Sequence, residues 1–180
     1  MKNKIILLCL LQMLSLASCD SDDDNNSQNP IDQLPPATMT GKNTFGALID
    51  GKPFIPGFVV FPTQCNYQLI NGERFFFVTG RYEEQENFNL ISLSLYTNAK
   101  TLEVGQTYQL FDRSEGNVSG SYGYNGDFFD TTSQNSGELT ITRLDLNAQI
   151  VSGTFFFDII DGNGDLRQIR DGRFDMQFTQ

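Results

Sequence analysis

The chain has 180 residues, with 12 Lys and Arg against 22 Asp and Glu and no His, so its formal net charge is −10. This length fits one folded domain, and the acidic balance argues against a nucleic-acid partner, because phosphate binding depends on clustered Lys and Arg. The absence of His excludes Ser-His-Asp and Cys-His catalysis and imidazole metal sites. We therefore expect a protein that is not an enzyme and that needs no cofactor or metal.

Residues 1–18 have the features of a bacterial lipoprotein signal peptide. Two lysines precede an apolar run, residues 5–16, that is too short to span a bilayer as a mature helix. The run ends in Leu16-Ala17-Ser18-Cys19, which resembles the lipobox, where small residues flank the cut and the Cys is lipidated. We expect Cys19 to anchor the chain in a membrane, because two or more acyl chains give stable attachment. An uncleaved apolar helix or an ordinary signal peptide is the alternative.

Residues 19–40 form a predicted acidic, flexible tether. Four Asp lie within residues 20–24, and the Asn, Ser and Gln that follow offer no apolar side chain to bury. Such a run after a lipidated Cys looks like the export signal of surface lipoproteins of the Bacteroidota. We therefore expect the protein on the outer face of the outer membrane, with the periplasmic face as the alternative.

Residues 41–180 have the pattern of a single all-β domain. Short runs of β-branched and aromatic residues alternate with Gly, Asn and Asp, and no helical period of apolar residues is sustained. Asp50-Gly51 and Asn71-Gly72 predict two-residue hairpin turns, since both dipeptides tolerate positive φ. About nine or ten strands are expected, enough for an antiparallel β-sandwich, with a lipocalin-like closed barrel as the alternative. The predicted strands are residues 44–49, 52–55, 65–70, 74–79, 90–96, 107–111, 138–143, 150–160 and 166–178, the last broken near Asp171-Gly172.

Sixteen Phe and no Trp predict a core of packed rings. The runs at residues 75–77 and 155–157 place rings on both faces of their strands, so we expect these strands to be central. An aromatic-lined ligand cavity is the alternative use of these rings, and a packed core is favoured because it is the commoner arrangement.

Between residues 114 and 136 the composition shifts to Gly, Ser, Asn and aromatic residues, and a loop of this length is usually functional or mobile. Its aromatic planes suit the apolar faces of sugar rings, while neighbouring Asn and Asp accept hydrogen bonds from hydroxyl groups. The candidate ligand-binding residues are Tyr122, Tyr124, Phe128 and Phe129. The alternative is an irregular edge hairpin whose aromatic side chains pack onto the sheet.

Three further motifs carry weaker signals. Asp161-Gly162-Asn163-Gly164-Asp165 resembles the start of a calcium-binding loop but lacks its later Gly and Glu, so a hairpin turn is favoured. Asp130-Thr131-Thr132 resembles the short O-glycosylation motif of exported Bacteroidota proteins, with Thr131 as the acceptor. Cys65 has no disulfide partner if Cys19 carries lipid, and we expect it to be a small buried side chain.

The two ends of the domain carry a wider resemblance. Five stretches are similar to an uncharacterised family of Bacteroidota lipoproteins: Leu34-Pro35-Pro36-Ala37-Thr38, Thr40-Gly41-Lys42-Asn43-Thr44-Phe45-Gly46, Asp50-Gly51-Lys52-Pro53-Phe54-Ile55-Pro56, 151–157 and 169–175. The resemblance implies the fold and the lipoprotein location, and no activity. Two functions fit this interpretation: a surface lipoprotein that binds a glycan or small apolar molecule in nutrient capture or adhesion, or a structural lipoprotein that binds an envelope protein. We expect a monomer.

Overall fold

The computed structural model describes residues 29–180, and within them the protein is an all-β fold. The predicted signal peptide, Cys19 and the first part of the predicted tether lie outside the described residues. A short 3-10 helix, Pro30–Gln33, precedes eleven strands. No helix in this part of the chain is long and apolar enough to cross a membrane. The strands are β1 (Thr44–Ile49), β2 (Lys52–Phe54), β3 (Thr63–Ile70), β4 (Glu73–Glu83), β5 (Leu90–Thr97), β6 (Thr107–Leu110), β7 (Val118–Tyr124), β8 (Asp127–Asp130), β9 (Gly137–Asp145), β10 (Ile150–Ile160) and β11 (Leu166–Gln177).

All eleven strands belong to one mixed sheet. Their order is β2-β1-β11-β10-β9-β6-β7-β5-β4-β3, with β8 paired to β7 off this path. Every pair is antiparallel except β6 with β7. The sheet is not closed into a barrel, because the end strands of the described sheet, β2 and β3, do not pair with each other. Two isolated bridges lie near them, Gly57 to Tyr82 and Asn66 to Thr179. The predicted all-β sandwich class is confirmed, and the closed barrel is not what forms.

The sheet folds over so that its two halves face each other across a core of rings. Phe174 on β11 lies 6.0 Å from Phe76 on β4 in the opposite half, centroid to centroid, and within its own half Phe155 on β10 lies 5.4 Å from Phe45 on β1. The ring of Phe157 lies against Gly120 of β7, at the place where a larger residue would carry its Cβ. The predicted ring core is therefore present, and β10 is central, between β9 and β11.

Two-residue turns connect the hairpins where the sequence predicts them. Asp50 and Gly51 have φ values of 51° and 77°, and Asn71 and Gly72 have 53° and 88°. Positive φ at both positions gives the turn the twist of the flanking strands. Asn125-Gly126 forms a third two-residue turn, between β7 and β8, with φ values of 51° and 96°. It lies inside the segment for which the sequence predicts a loop or an irregular hairpin.

Residues 34–42 are held against the sheet, so the packed region begins earlier than the predicted boundary at residue 41. Leu34 is buried, and Pro35 occupies the space over Gly46 of β1. Further along, the buried carboxylate of Asp175 on β11 accepts five hydrogen bonds, four of them from this segment and one from Ser152 of β10. The donors are Thr38 Oγ1 (2.6 Å), Thr40 N (2.9 Å), Gly41 N (2.7 Å), Lys42 N (3.2 Å) and Ser152 Oγ (2.7 Å).

Candidate functional site

A cavity of about 1150 Å³ opens at one end of the sandwich, which we call the cavity end. Its wall comes from distant parts of the sequence that the sheet brings together, from Gln33 to Arg167. The cavity end collects the β1–β2 turn 50–51, the loop 55–62, the β4–β5 loop 84–89, the β7–β8 turn 125–126 and the β10–β11 turn 161–165. This position, over the ends of strands, is where small-molecule sites commonly form.

Strand alternation divides the four predicted ligand-binding residues between two faces. Tyr122 and Tyr124 are two residues apart on β7, so both face inward, and Phe129 lies opposite Tyr122 in the β7–β8 pair. All three line the cavity. Phe128 lies opposite Gly123 on the other face, with its ring against that glycine and 58% of its surface exposed. The structure therefore brings three of the four residues together at the cavity and leaves Phe128 out.

Tyr122 offers the cavity a neutral phenol. Burial raises the pKa of Tyr122; the charge of Arg167 opposes this shift, while Tyr124, Asp161 and Asp50 add to it. A raised pKa keeps the hydroxyl protonated throughout the physiological range. Tyr122 is therefore suited to donate a hydrogen bond to an acceptor in the cavity.

An ion-paired cluster forms another part of the wall, at the start of β11. Arg167 Nη1 lies 3.0 Å from Asp50 Oδ2, and Arg167 Nη2 lies 2.7 Å from Asp161 Oδ2. Hydrogen bonds to Asp50 and Asp161 raise the pKa of Arg167 above its ordinary value. This cluster joins the β1–β2 turn to the β10–β11 turn, so it fixes two walls of the cavity relative to each other.

The predicted calcium-loop motif at residues 161–165 is the β10–β11 hairpin turn, the interpretation that the sequence favours. Asp161 Oδ1 accepts hydrogen bonds from the backbone N–H groups of Asn163 (2.9 Å) and Asp165 (3.1 Å), and Oδ2 accepts from Arg167. Burial alone would raise the pKa of Asp161, but the bonds from Arg167, Asp165 and Asn163 outweigh it and lower the pKa. Both carboxylate oxygens are thus used inside the turn.

Thr131 is fully buried, and this is a correction to the predicted O-glycosylation. Its Oγ1 donates to the carbonyl oxygen of Phe111 (2.5 Å) and accepts from the N–H of Gly120 (3.0 Å). A sugar on this oxygen would need both the hydroxyl and the space that β6 and β7 occupy. The modification therefore does not fit the folded domain. Cys65 is buried as expected, and burial raises the pKa of its thiol.

Several cavity residues were not identified from the sequence. Tyr82 is the last of the alternate residues of β4 that face inward. Phe58 packs against it edge to face, with ring centroids 5.7 Å apart. Glu84 and Asp127 place carboxylates in the lining near Tyr82 and Tyr124. Alternate residues of β4 face inward, so Tyr82 could have been identified from the sequence. No local sequence pattern indicates that the loop residue Phe58 lies in the cavity wall.

The lining combines flat apolar surfaces with hydrogen-bonding groups. It has Phe and Tyr rings with Ile and Pro side chains, together with carboxylate and amide groups and the cations of Lys52 and Arg167. This combination suits a molecule with both apolar ring faces and hydroxyl groups. Comparison of the chain with protein families, with curated proteins and with solved structures finds no match.

Proposed function

We propose that this protein is a lipid-anchored binding protein of the outer-membrane surface that holds a glycan or a small, partly apolar molecule in its cavity. In this proposal Cys19 carries the lipid, and the β-domain binds its ligand without transforming it, as an accessory to nutrient capture or adhesion. The observation that carries the proposal is that Tyr122, Tyr124 and Phe129 line one cavity together with carboxylates.

The physical argument concerns how a sugar is recognised. A pyranose ring has apolar C–H faces that pack on aromatic planes, and equatorial hydroxyl groups that donate to carboxylates such as Glu84 and Asp127. The volume of about 1150 Å³ is slightly above the usual range of roughly 300–1,000 Å³ for ligand pockets, so there is room for more than one ring. The Tyr122 phenol adds a neutral donor for a ring or hydroxyl oxygen.

The first test asks whether a ligand is present. Native mass spectrometry of the protein purified from a cell extract is expected to show mass beyond the lipidated polypeptide, and titration calorimetry with a panel of oligosaccharides then identifies the class. If neither method detects any bound small molecule, the alternative of a structural, protein-binding lipoprotein replaces this proposal.

The second test compares two aromatic residues of one hairpin. Tyr124→Ala removes a half-exposed ring from the cavity wall, and we expect ligand affinity to fall about 3- to 10-fold, because an aromatic contact contributes roughly 0.5–1.5 kcal/mol. Phe128→Ala is the matched control, since Phe128 lies on the opposite face. Calorimetric titration measures both. Equal loss in the two variants would contradict the assignment of the site.

A further inference from the structure

The loop between β2 and β3 exposes a patch of apolar side chains at the cavity end. Phe58, Val60 and Phe61 are 65%, 78% and 68% exposed, and Ile55 beside them is 44% exposed. Residues 53–62 contain no charged side chain. We call residues 55–61 the apolar loop. Such a contiguous exposed patch is uncommon on soluble proteins and marks a contact surface.

The apolar loop is held in this exposed arrangement by backbone hydrogen bonds to β4. The N–H of Gly57 donates to the carbonyl of Arg81 (2.9 Å), and the N–H of Arg81 donates to the carbonyl of Pro62 (2.7 Å). Arg81 Nη2 also donates to the carbonyl of Phe61 (2.8 Å). Phe58 and Phe61 have φ near +60°, which is unusual for a bulky residue. The exposed rings are therefore presented by a fixed loop.

A second exposed ring lies at the same end. Phe88, in the β4–β5 loop, is 73% exposed, and its N–H donates to the carbonyl of Glu84, which lines the cavity. The cavity end thus carries apolar side chains on two of its loops. Glu83 and Glu84 near them make this surface unfavourable for contact with anionic headgroups.

The described chain also starts at the cavity end. Gln33 lines the cavity together with Ile55 and Phe58. Cys19 is ten residues before Asn29, and ten extended residues span at most about 35 Å. If the membrane lay at the far end, the tether would have to run back along the domain. The eight residues of β3 span about 26 Å in that direction, which would use most of the length of the tether. The tether length therefore favours an orientation with the cavity end toward the anchor.

We propose that the apolar loop docks into the lipid surface in which Cys19 is anchored, so that the cavity end faces the membrane. Aromatic and branched apolar side chains gain free energy in the interfacial region of a bilayer. Because the anchor keeps the domain at the membrane, the effective concentration of the apolar loop at the lipid surface is high. A modest apolar contact is then enough to hold the cavity end toward the membrane. The proposal rests on lipid attachment and not on a ligand in the cavity.

The experiment uses the lipidated protein, with the lipid on Cys19 verified by mass, in phosphatidylcholine vesicles. Val60→Cys receives an environment-sensitive fluorophore, and Leu69→Cys, also exposed but far along β3, is the matched control. Native Cys65 is buried and stays unlabelled. We expect emission from position 60 to shift to shorter wavelength and to be quenched by brominated lipid at least threefold more strongly than emission from position 69.

Two further measurements keep the outcomes distinct. Phe58→Ser with Phe61→Ser is expected to abolish most of the quenching at position 60, while circular dichroism shows that the fold is retained. Equal, water-like emission at positions 60 and 69 in vesicles overturns the proposal. If position 60 is shielded from water without vesicles and the protein has the mass of a dimer, the apolar loop contacts a second copy of the chain. This result also overturns the proposal. Ligand binding is measured on the parent protein, without the Phe58 substitution and without vesicles, so its failure would bear on the cavity alone.

Discussion

At the scale of single residues, Asp175 holds the beginning of the domain to its last strand. Its carboxylate is almost fully buried and accepts hydrogen bonds from two hydroxyl groups and three backbone N–H groups. Burial alone would raise the pKa of Asp175, but the bonds from Thr38, Ser152, Thr40 and Gly41 outweigh it and hold the pKa well below its ordinary value. The ionised form is thus the one that stabilises the fold.

Asp175→Asn is therefore expected to lower the free energy of unfolding by about 2–3 kcal/mol, because an amide cannot accept all five hydrogen bonds and lacks the charge that strengthens them. Urea unfolding at pH 7 measures this loss. Asp165→Asn is the control, since Asp165 is exposed in the β10–β11 turn. A change below about 0.5 kcal/mol for Asp175→Asn would contradict the role assigned to the carboxylate.

The same residue predicts a pH dependence. Because the folded-state pKa of Asp175 is lowered, its contribution is complete above the unfolded-state pKa of about 3.9 and is lost as the pH falls toward the folded-state pKa. Asp161 and Asp145, whose pKa values are also lowered, act in the same direction. We expect the urea midpoint to fall below about pH 5, and to fall less in Asp175→Asn. Parallel curves for the two proteins would show that Asp175 does not contribute.

At the scale of elements, local patterns predict the hairpins and the ring core, whereas β7 depends on distant residues. A two-residue turn or an alternating strand is encoded within a few positions, so Asp50-Gly51 and residues 150–160 could be identified from the sequence. The Gly and Ser content of β7 suggests a loop instead. These small residues are needed because Phe157 lies over Gly120, while the side chains of Ser92 and Phe128 lie close to Gly123.

The cavity shows the same limit. Tyr122, Tyr124 and Phe129 could be identified because aromatic residues in a Gly-rich segment are conspicuous. Their separation from Phe128 could not, because it depends on which face of β7 meets the core. The acidic part of the wall comes from Asp127 of β8 and from other turns and loops, and only the sheet order brings these together.

Gly137→Ala tests the packing of β9 on β10. A Cβ at Gly137 would lie 2.0 Å from the carbonyl oxygen of Phe156 and 2.4 Å from the Cα of Phe157. Because both are backbone atoms of a central strand, we expect a loss of about 1–3 kcal/mol in stability, measured by urea unfolding. Gly57→Ala is the control, since its Cβ would meet no atom within 4 Å. Equal stability of the two variants would show that β9 can move away from β10.

At the scale of the whole molecule, the proposed lipid anchor on Cys19 would determine where the domain works. Cys19→Ala is expected to release the chain from the membrane fraction, because no acyl chain can then be attached. Immunoblots of fractionated cells measure this, and a variant that stays with the membranes would contradict the lipoprotein assignment.

Protease added to intact cells is expected to digest the domain. Protection that is lost on lysis would place the domain on the periplasmic face.

The contacts of residues 29–42 give this anchor a mechanical consequence. If Cys19 is anchored as proposed, a pull on it would be carried through residues 29–42 to Asp175, which lies on β11 at the end of the sheet away from the cavity. The residues before Thr38 would peel away first, and this would take Gln33 out of the cavity wall and expose Leu34 while every strand stays paired. Under the proposed anchoring, tension on the chain would thus change the cavity wall before it separates any strand.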